Sequence, residues 1–313
     1  MAIDPPSDRS SGGPTIANAD ERRAVVMVVA NQKGGVGKTT TTVSVGAALA
    51  QLGARVLLVD LDPQGNASTG LGLHVTEGDT SLYGVVVDGL RVDDVVRTTD
   101  IPGLDVLPSS LDLAGAEVEL VPAFSREHRL RRALEPVRSR YDLVLVDCPP
   151  SLGLLTINAL VAADQILVPI QCEYYALEGL SQLLRTVELV SDGLNPALRV
   201  GGVALTMFDG RTNLAQQVVD EVRNFFGPVA YDTIIPRTVR LSEAPSFGQP
   251  IITFDPTSKG ARAYFKLARE VGERLGIRLA PRPMTSSNGP VDDDDDDDDD
   301  EVTSRSGSDE VGR

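Results

Sequence analysis

The stretch Asn31-Gln32-Lys33-Gly34-Gly35-Val36-Gly37-Lys38-Thr39-Thr40 decides the fold. It follows an apolar run, Ala24 to Ala30, and leads into a candidate helix, Lys38 to Leu52. A strand feeding a helix through a glycine-rich turn lets successive backbone N–H groups point at one spot, and the helix start adds its positive end. That is a cradle for polyphosphate. Gly34, Gly35, Val36 and Gly37 supply the curled backbone, Lys38 reaches the β- and γ-phosphates, and the Thr39 hydroxyl ligates Mg2+, with Thr40 next to it. The chain has four lysines, and Lys33 and Lys38 are both in this loop.

Outward from the loop, short Val/Ile/Leu-rich runs recur at Ala24 to Ala30, Arg55 to Asp60, Leu143 to Asp147, Gln165 to Ile170 and Arg199 to Thr206. Nearly unbroken apolar runs of this length are strands buried on both faces. Between them lie candidate helices at Lys38 to Leu52, Arg126 to Ser139, Leu154 to Ala163, Ala176 to Ser191, Asn213 to Phe226 and Ser258 to Leu275. This alternation predicts an α/β, P-loop NTPase-like fold: a mostly parallel twisted sheet with helices on both faces. Ligands of such sheets bind outside the carboxyl ends of the strands.

Two of those strand ends carry acids. Asp60-Leu61-Asp62-Pro63-Gln64-Gly65-Asn66 places two carboxylates close together, expected to face opposite ways and so to have different jobs. Leu143-Val144-Leu145-Val146-Asp147 is an apolar strand ending in an acid, and Asp147 is the candidate to hold Mg2+ through water. ATP hydrolysis needs both a positioned water and a cation to neutralise developing charge.

The loop departs from the ordinary G-x-x-x-x-G-K-[ST] pattern: Gln32 stands where the first glycine would be, and Lys33 follows it. In this it resembles the deviant Walker A motif, K-G-G-x-G-K-[ST], of the ParA/MinD superfamily of ATPases. The segments Thr206 to Leu214 and Ile235 to Ser246 are similar to the chromosomal ParA/Soj branch, and the likeness covers roughly residues 24–280. The resemblance implies that Lys33 reaches across a homodimer interface to the partner's ATP, that Asp62 positions the attacking water, and that Asp60 supports the Mg2+ shell. It implies too that Met207 and Pro236 flank adenine and that Arg211 and Arg240 bind double-stranded DNA without reading its sequence. The implied function is a partitioning switch: ATP closes a DNA-coating dimer, and hydrolysis stimulated by a ParB-type centromere-binding protein releases it. Two alternatives are a MinD-like membrane-associated division-site ATPase and a nucleotide-gated scaffold with negligible hydrolysis. The first needs a basic amphipathic C-terminal helix, and the second is disfavoured by intact Asp60 and Asp62 beside a full phosphate loop.

The net charge of −16 over 313 residues seems to exclude DNA, but its distribution matters. Residues 281–313 hold 12 acids, including the run Asp292 to Asp300, and 3 bases, whereas residues 201–280 hold 8 acids and 10 bases. Residues 1–23 and 281–313, rich in Ser, Gly, Pro and Asp, are expected to be disordered tails around one ATPase domain, 24–280. The acidic tail is expected to aid solubility or to compete with DNA near Arg211 and Arg240. No apolar stretch suits a secretory signal or membrane span, so a cytoplasmic, nucleoid-associated protein is expected, with no membrane partner. Cys148 and Cys172 lie in no CxxC pattern, and only His74 and His128 accompany them, so no zinc or iron–sulfur site is expected.

Overall fold

A computed structural model describes residues 23–76, 78–173 and 180–280. Residues 1–22 and 281–313 lie outside it, and with them the expected tails; so does the start of the helix expected from Ala176. Eight strands form one sheet: β1 Val25–Val29, β2 Val56–Asp60, β3 Arg97–Thr98, β4 Leu104–Leu107, β5 Leu143–Asp147, β6 Gln165–Gln171, β7 Arg199–Phe208 and β8 Ala230–Pro236. Their order is β3-β4-β2-β5-β1-β6-β7-β8, with every pairing parallel except β3 with β4. The chain leaves β1, skips one position to β2, and later fills the gap with β5. The crevice of this sheet therefore opens at the carboxyl end of β1.

The five expected strands are present, and three more were not expected. β4 is only four residues long and carries Asp105, while β8 carries Asp232 and Thr233 at the sheet's edge, so neither reads as an unbroken apolar run. Alternation along β1 sends Val26 and Val28 to one core and Met27 and Val29 to the other, on opposite faces of the sheet.

The longer helices cover these two faces. The helices are α1 Lys38–Gln51, α2 Asn66–Thr69, α3 Leu113–Glu119, α4 Arg129–Leu134, α5 Leu154–Ala162, α6 Leu180–Gly193, α7 Asn213–Phe226, α8 Val239–Glu243, α9 Ile251–Phe254 and α10 Lys259–Leu275. Helix α1 is buried from Thr41 through Ala50, because α10 closes its outer side and Thr41 Oγ1 lies 3.2 Å from Tyr264 Oη. A side chain at Gly46 would meet Leu145 at 3.3 Å, so the missing Cβ lets α1 settle directly on the sheet. Each fully buried Leu or Val in these layers contributes roughly 1.5–3 kcal/mol. The helix expected over Arg126 to Ser139 is confined to α4, followed by a tighter 3-10 turn over Glu135–Arg140; Pro136 lacks the N–H that a continuing α-helix needs.

Candidate functional site

The phosphate loop is stitched to its neighbours before it reaches α1. Asn31, buried at the end of β1, donates from Nδ2 to the Pro169 carbonyl of β6 at 2.7 Å and accepts the Lys33 N–H at 3.0 Å. Thr206 of β7 donates from Oγ1 to the carbonyls of Val36 at 2.9 Å and Ile170 at 3.2 Å. Gly37 caps α1 with φ +84°, a left-handed conformation that costs glycine little, and its carbonyl accepts the Thr41 N–H. Gly34 and Gly35 at the tip have open space where side chains would be, so the backbone there is free to approach a ligand. Lys38 Nζ reaches back over the loop to the Lys33 carbonyl at 3.2 Å. Burial lowers the Lys38 pKa, and the nearby Asp147 opposes that.

Sheet register aligns the acids beneath this loop. Asp147 stands opposite Val29 on one side and Asp60 on the other. Both carboxylates are wholly buried. Asp147 accepts hydrogen bonds from Thr39 Oγ1 at 2.7 Å and Thr42 Oγ1 at 3.0 Å. Asp60 Oδ2 accepts the Ser68 N–H and hydroxyl, each at 2.7 Å, while its Oδ1 is buried without any partner. Burial, reinforced by the charge of Asp60, raises the Asp147 pKa; burial likewise raises that of Asp60, against the lowering effect of the Ser68 hydrogen bonds. Two side-by-side carboxylates, one with an orphaned oxygen, beside a threonine hydroxyl suit a hard divalent cation. Among the described residues no cluster of three or more His, Cys, Asp or Glu side chains could cage a metal alone. The residues present fit Mg2+ that takes its other ligands from water and phosphate, and Thr39, Asp147 and Asp60 are the groups that could hold it.

The expectation that Asp60 and Asp62 face opposite ways is wrong in its reason. Residues i and i+2 of a strand share a face. They are separated because β2 stops at Asp60 and a turn follows, in which Asp62 O accepts the Gly65 N–H and Asp62 Oδ1 accepts the Gln64 N–H. Asp62 remains 8% exposed where Asp60 has no exposure at all. One carboxylate is thus sealed beside Asp147 and the other can touch solvent.

Met207 and Pro236 end adjacent strands, with Phe208 registered against Pro236. Met207 has φ +54°, uncommon for a residue with a side chain, and its Cε would lie 3.9 Å from a Cβ added at Gly37. The structure therefore brings Met207 to the phosphate loop. Thr39 and Thr40 also line a separate open cavity of about 370 Å3 between α1, α2 and residues 241–251.

The two candidate DNA-binding arginines are exposed but engaged. Arg211, 86% exposed, forks onto Asp209 with Nε and Nη2 each 3.0 Å from a carboxylate oxygen, and these bonds hold the Asp209 pKa down at about 2. Arg240 pairs with Glu243 at 3.2 Å and Asp255 at 3.5 Å and lies over the Phe254 ring. Between these segments Arg237, whose N–H bonds the Phe208 carbonyl, pairs with Glu173 at 3.7 Å. Exposed pairs of this kind are worth little, so a phosphate can replace the acid at small cost.

Residues 24–200 match the family described as an AAA domain. The sporulation initiation inhibitor protein Soj of Bacillus subtilis is 58% identical over 246 residues, covering 79% of this chain and 97% of its own. The chromosome partitioning protein ParA of Caulobacter vibrioides is 55% identical over 257 residues, covering 82% and 96%. Among solved structures, cobyrinic acid a,c-diamide synthase from Mycobacterium smegmatis with bound ADP and magnesium is 39% identical, with TM-score 0.71, covering 83% of this chain and 98% of that one. Pyrococcus horikoshii MinD complexed with Mg-ADP is 26% identical, with TM-score 0.65, covering 81% and 98%.

Proposed function

We propose, for a chain that belongs to the ParA/Soj family of chromosome-partitioning ATPases, a mechanism in which ATP controls dimerisation and DNA binding. The reading rests on one observation: the Thr39–Asp147 hydrogen bond and the orphaned Asp60 oxygen lie directly beneath a phosphate loop spanned by Lys38. ATP lies along Gly34, Gly35, Val36, Gly37, Lys38, Thr39 and Thr40, and its adenine lies between Met207 and Pro236. Lys38 neutralises the β- and γ-phosphates. Thr39 and Asp147, backed by Asp60, would hold Mg2+, which would supply positive charge against the phosphates during transfer. Asp62, the one carboxylate of the three with access to solvent, orients the attacking water.

Lys33 reaches the ATP of a second subunit, so the γ-phosphate favours the homodimer, and its loss returns monomers. This is a population shift set by differential contacts with the two states. The dimer binds double-stranded DNA nonspecifically through Arg211 and Arg240, and a ParB-type protein stimulates slow hydrolysis. The protein is then cytoplasmic and nucleoid-associated, with no membrane partner. Among the described residues no helix is long and apolar enough to cross a membrane.

The test is Asp62→Ala, assayed for nucleotide affinity, sedimentation with a slowly hydrolysed ATP analogue, duplex binding and phosphate release. Binding and dimerisation persist and turnover stops. Unchanged phosphate release removes Asp62 from the mechanism, and sedimentation as a monomer with the analogue removes the dimer switch.

A further inference from the structure

Helix α10 carries a second basic surface. Lys259, Arg262, Lys266 and Arg269 recur at i, i+3, i+7 and i+10, which places them within about 80° of helix circumference and along roughly 15 Å of its axis. The first three are exposed and the fourth is half-buried. The two lysines here are the only lysines in the chain outside the phosphate loop. Arg211, Arg237 and Arg240 each lie against an acid, whereas among the described residues none of these four cations makes an ion pair.

Three of the four line an open groove of about 510 Å3 against the outer edge of β8, where Asp232, Thr233 and Pro236 form the opposite wall. The groove is not built to accept an added strand. Glu270, from α10 itself, already takes the edge N–H groups of Asp232 at 2.8 Å and Thr233 at 2.9 Å. Nor is α10 built to enter a lipid surface, since Ala261, Tyr264, Leu267, Ala268 and Val271 on its apolar side are buried in the core. What the helix offers is a line of positive charge with no aromatic side chain among the groove's residues to stack on a base.

We propose that Lys259, Arg262, Lys266 and Arg269 form a phosphate track for the backbone of double-stranded DNA, extending the contact surface from the Arg240 region along α10. The proposal rests on the DNA-binding reading above and moves part of the affinity onto cations that need not surrender an acid to take a phosphate. Each neutralised phosphate releases counterions, so the contribution of each contact appears in the salt dependence of binding.

The experiment measures affinity for a short duplex of random sequence, with the ATP analogue, between about 50 and 200 mM salt. The full chain is compared with Lys259→Gln/Arg262→Gln/Lys266→Gln and with Arg211→Glu/Arg240→Glu. Three lost contacts lower the salt slope by about 2–3 and weaken binding roughly 10- to 100-fold near 100 mM salt, equally for every sequence. Basal ATP turnover and thermal midpoint are unchanged. A triple variant with wild-type affinity and slope, alongside a defective Arg211/Arg240 variant, overturns the track and leaves the DNA reading standing. A wild-type protein that fails to bind duplex overturns both. Anionic vesicles of phosphatidylglycerol are the second polyanion: stripe-dependent binding to them in preference to duplex overturns the choice of DNA.

Discussion

Replacing Asp60 by asparagine should stabilise the protein without Mg2+ and weaken it as an enzyme. Burial raises the folded pKa of Asp60 from 3.8 to about 6, with the Asp62 charge adding to the effect, and Asp147 stands opposite it on β5. A carboxyl raised in the folded state contributes stability that is fully present below 3.8 and lost as pH rises through about 6. Across that window of about two pH units, at about 1.36 kcal/mol each, the loss is about 3 kcal/mol by pH 8. Asparagine escapes it. Its carbonyl still accepts the two Ser68 hydrogen bonds, and its amide replaces the orphaned Oδ1 with a donor next to an acid. In EDTA at pH 8 the thermal midpoint should therefore rise by roughly 5–10 °C, and the gain should shrink towards acid pH. Wild type should gain more from Mg2+ with nucleotide than Asp60→Asn does, and the variant's phosphate release should fall. An Asp60→Asn midpoint equal to or below wild type in EDTA at pH 8 would refute the claim that the buried Asp60 charge is held at a cost to stability.

Lys38→Ala should abolish ATP binding, because it removes the lysine that spans the loop and neutralises the β- and γ-phosphates of its own subunit's nucleotide; retained affinity for a fluorescent ATP analogue within a few-fold counts against it. Thr206→Val removes the hydroxyl that ties the Val36 and Ile170 carbonyls together and should cost about 1–3 kcal/mol, read as a lower thermal midpoint and weaker ADP binding by titration calorimetry. A variant that loses stability but keeps ADP affinity would show that the bond holds the strands and not the loop. Arg211→Glu with Arg240→Glu should eliminate ATP-dependent duplex binding while basal ATPase stays within about twofold, and retained binding at moderate salt would move the DNA face elsewhere.

Sequence legibility here follows how strongly a residue's position depends on the backbone near it. Lys38, Thr39 and Asp147 were readable because a strand–loop–helix unit and an apolar strand with a terminal acid define their places locally, and register then brings Thr39 and Asp147 within 2.7 Å. Strand β8 was not readable, since an edge strand needs no unbroken apolar run and its exposed N–H groups are satisfied by Glu270, 38 residues after Asp232. Thr42, Ser68 and Thr206 were missed for a related reason. A hydroxyl becomes part of the site only through a distant partner, and a threonine four residues after Lys38 reads equally well as helix filler, although Thr42 also bonds the Lys38 carbonyl.

The arginines mark the other limit. Sequence places Arg211 and Arg240 on exposed segments, but the acids that hold them in the folded chain, Asp209, Glu243 and Asp255, look from the sequence like ordinary solvated charge. The same count of 8 acids to 10 bases over residues 201–280 conceals two different surfaces. In the segments that follow β7 and β8, Arg211, Arg237 and Arg240 each have an acid that a phosphate would displace at small cost. Along α10, the exposed side of a helix whose other side is buried in the core, the cations are in register and carry no such partner among the described residues. Nonspecific binding depends on how many phosphates are neutralised, so the ordered stripe should add its contacts to those of Arg211 and Arg240.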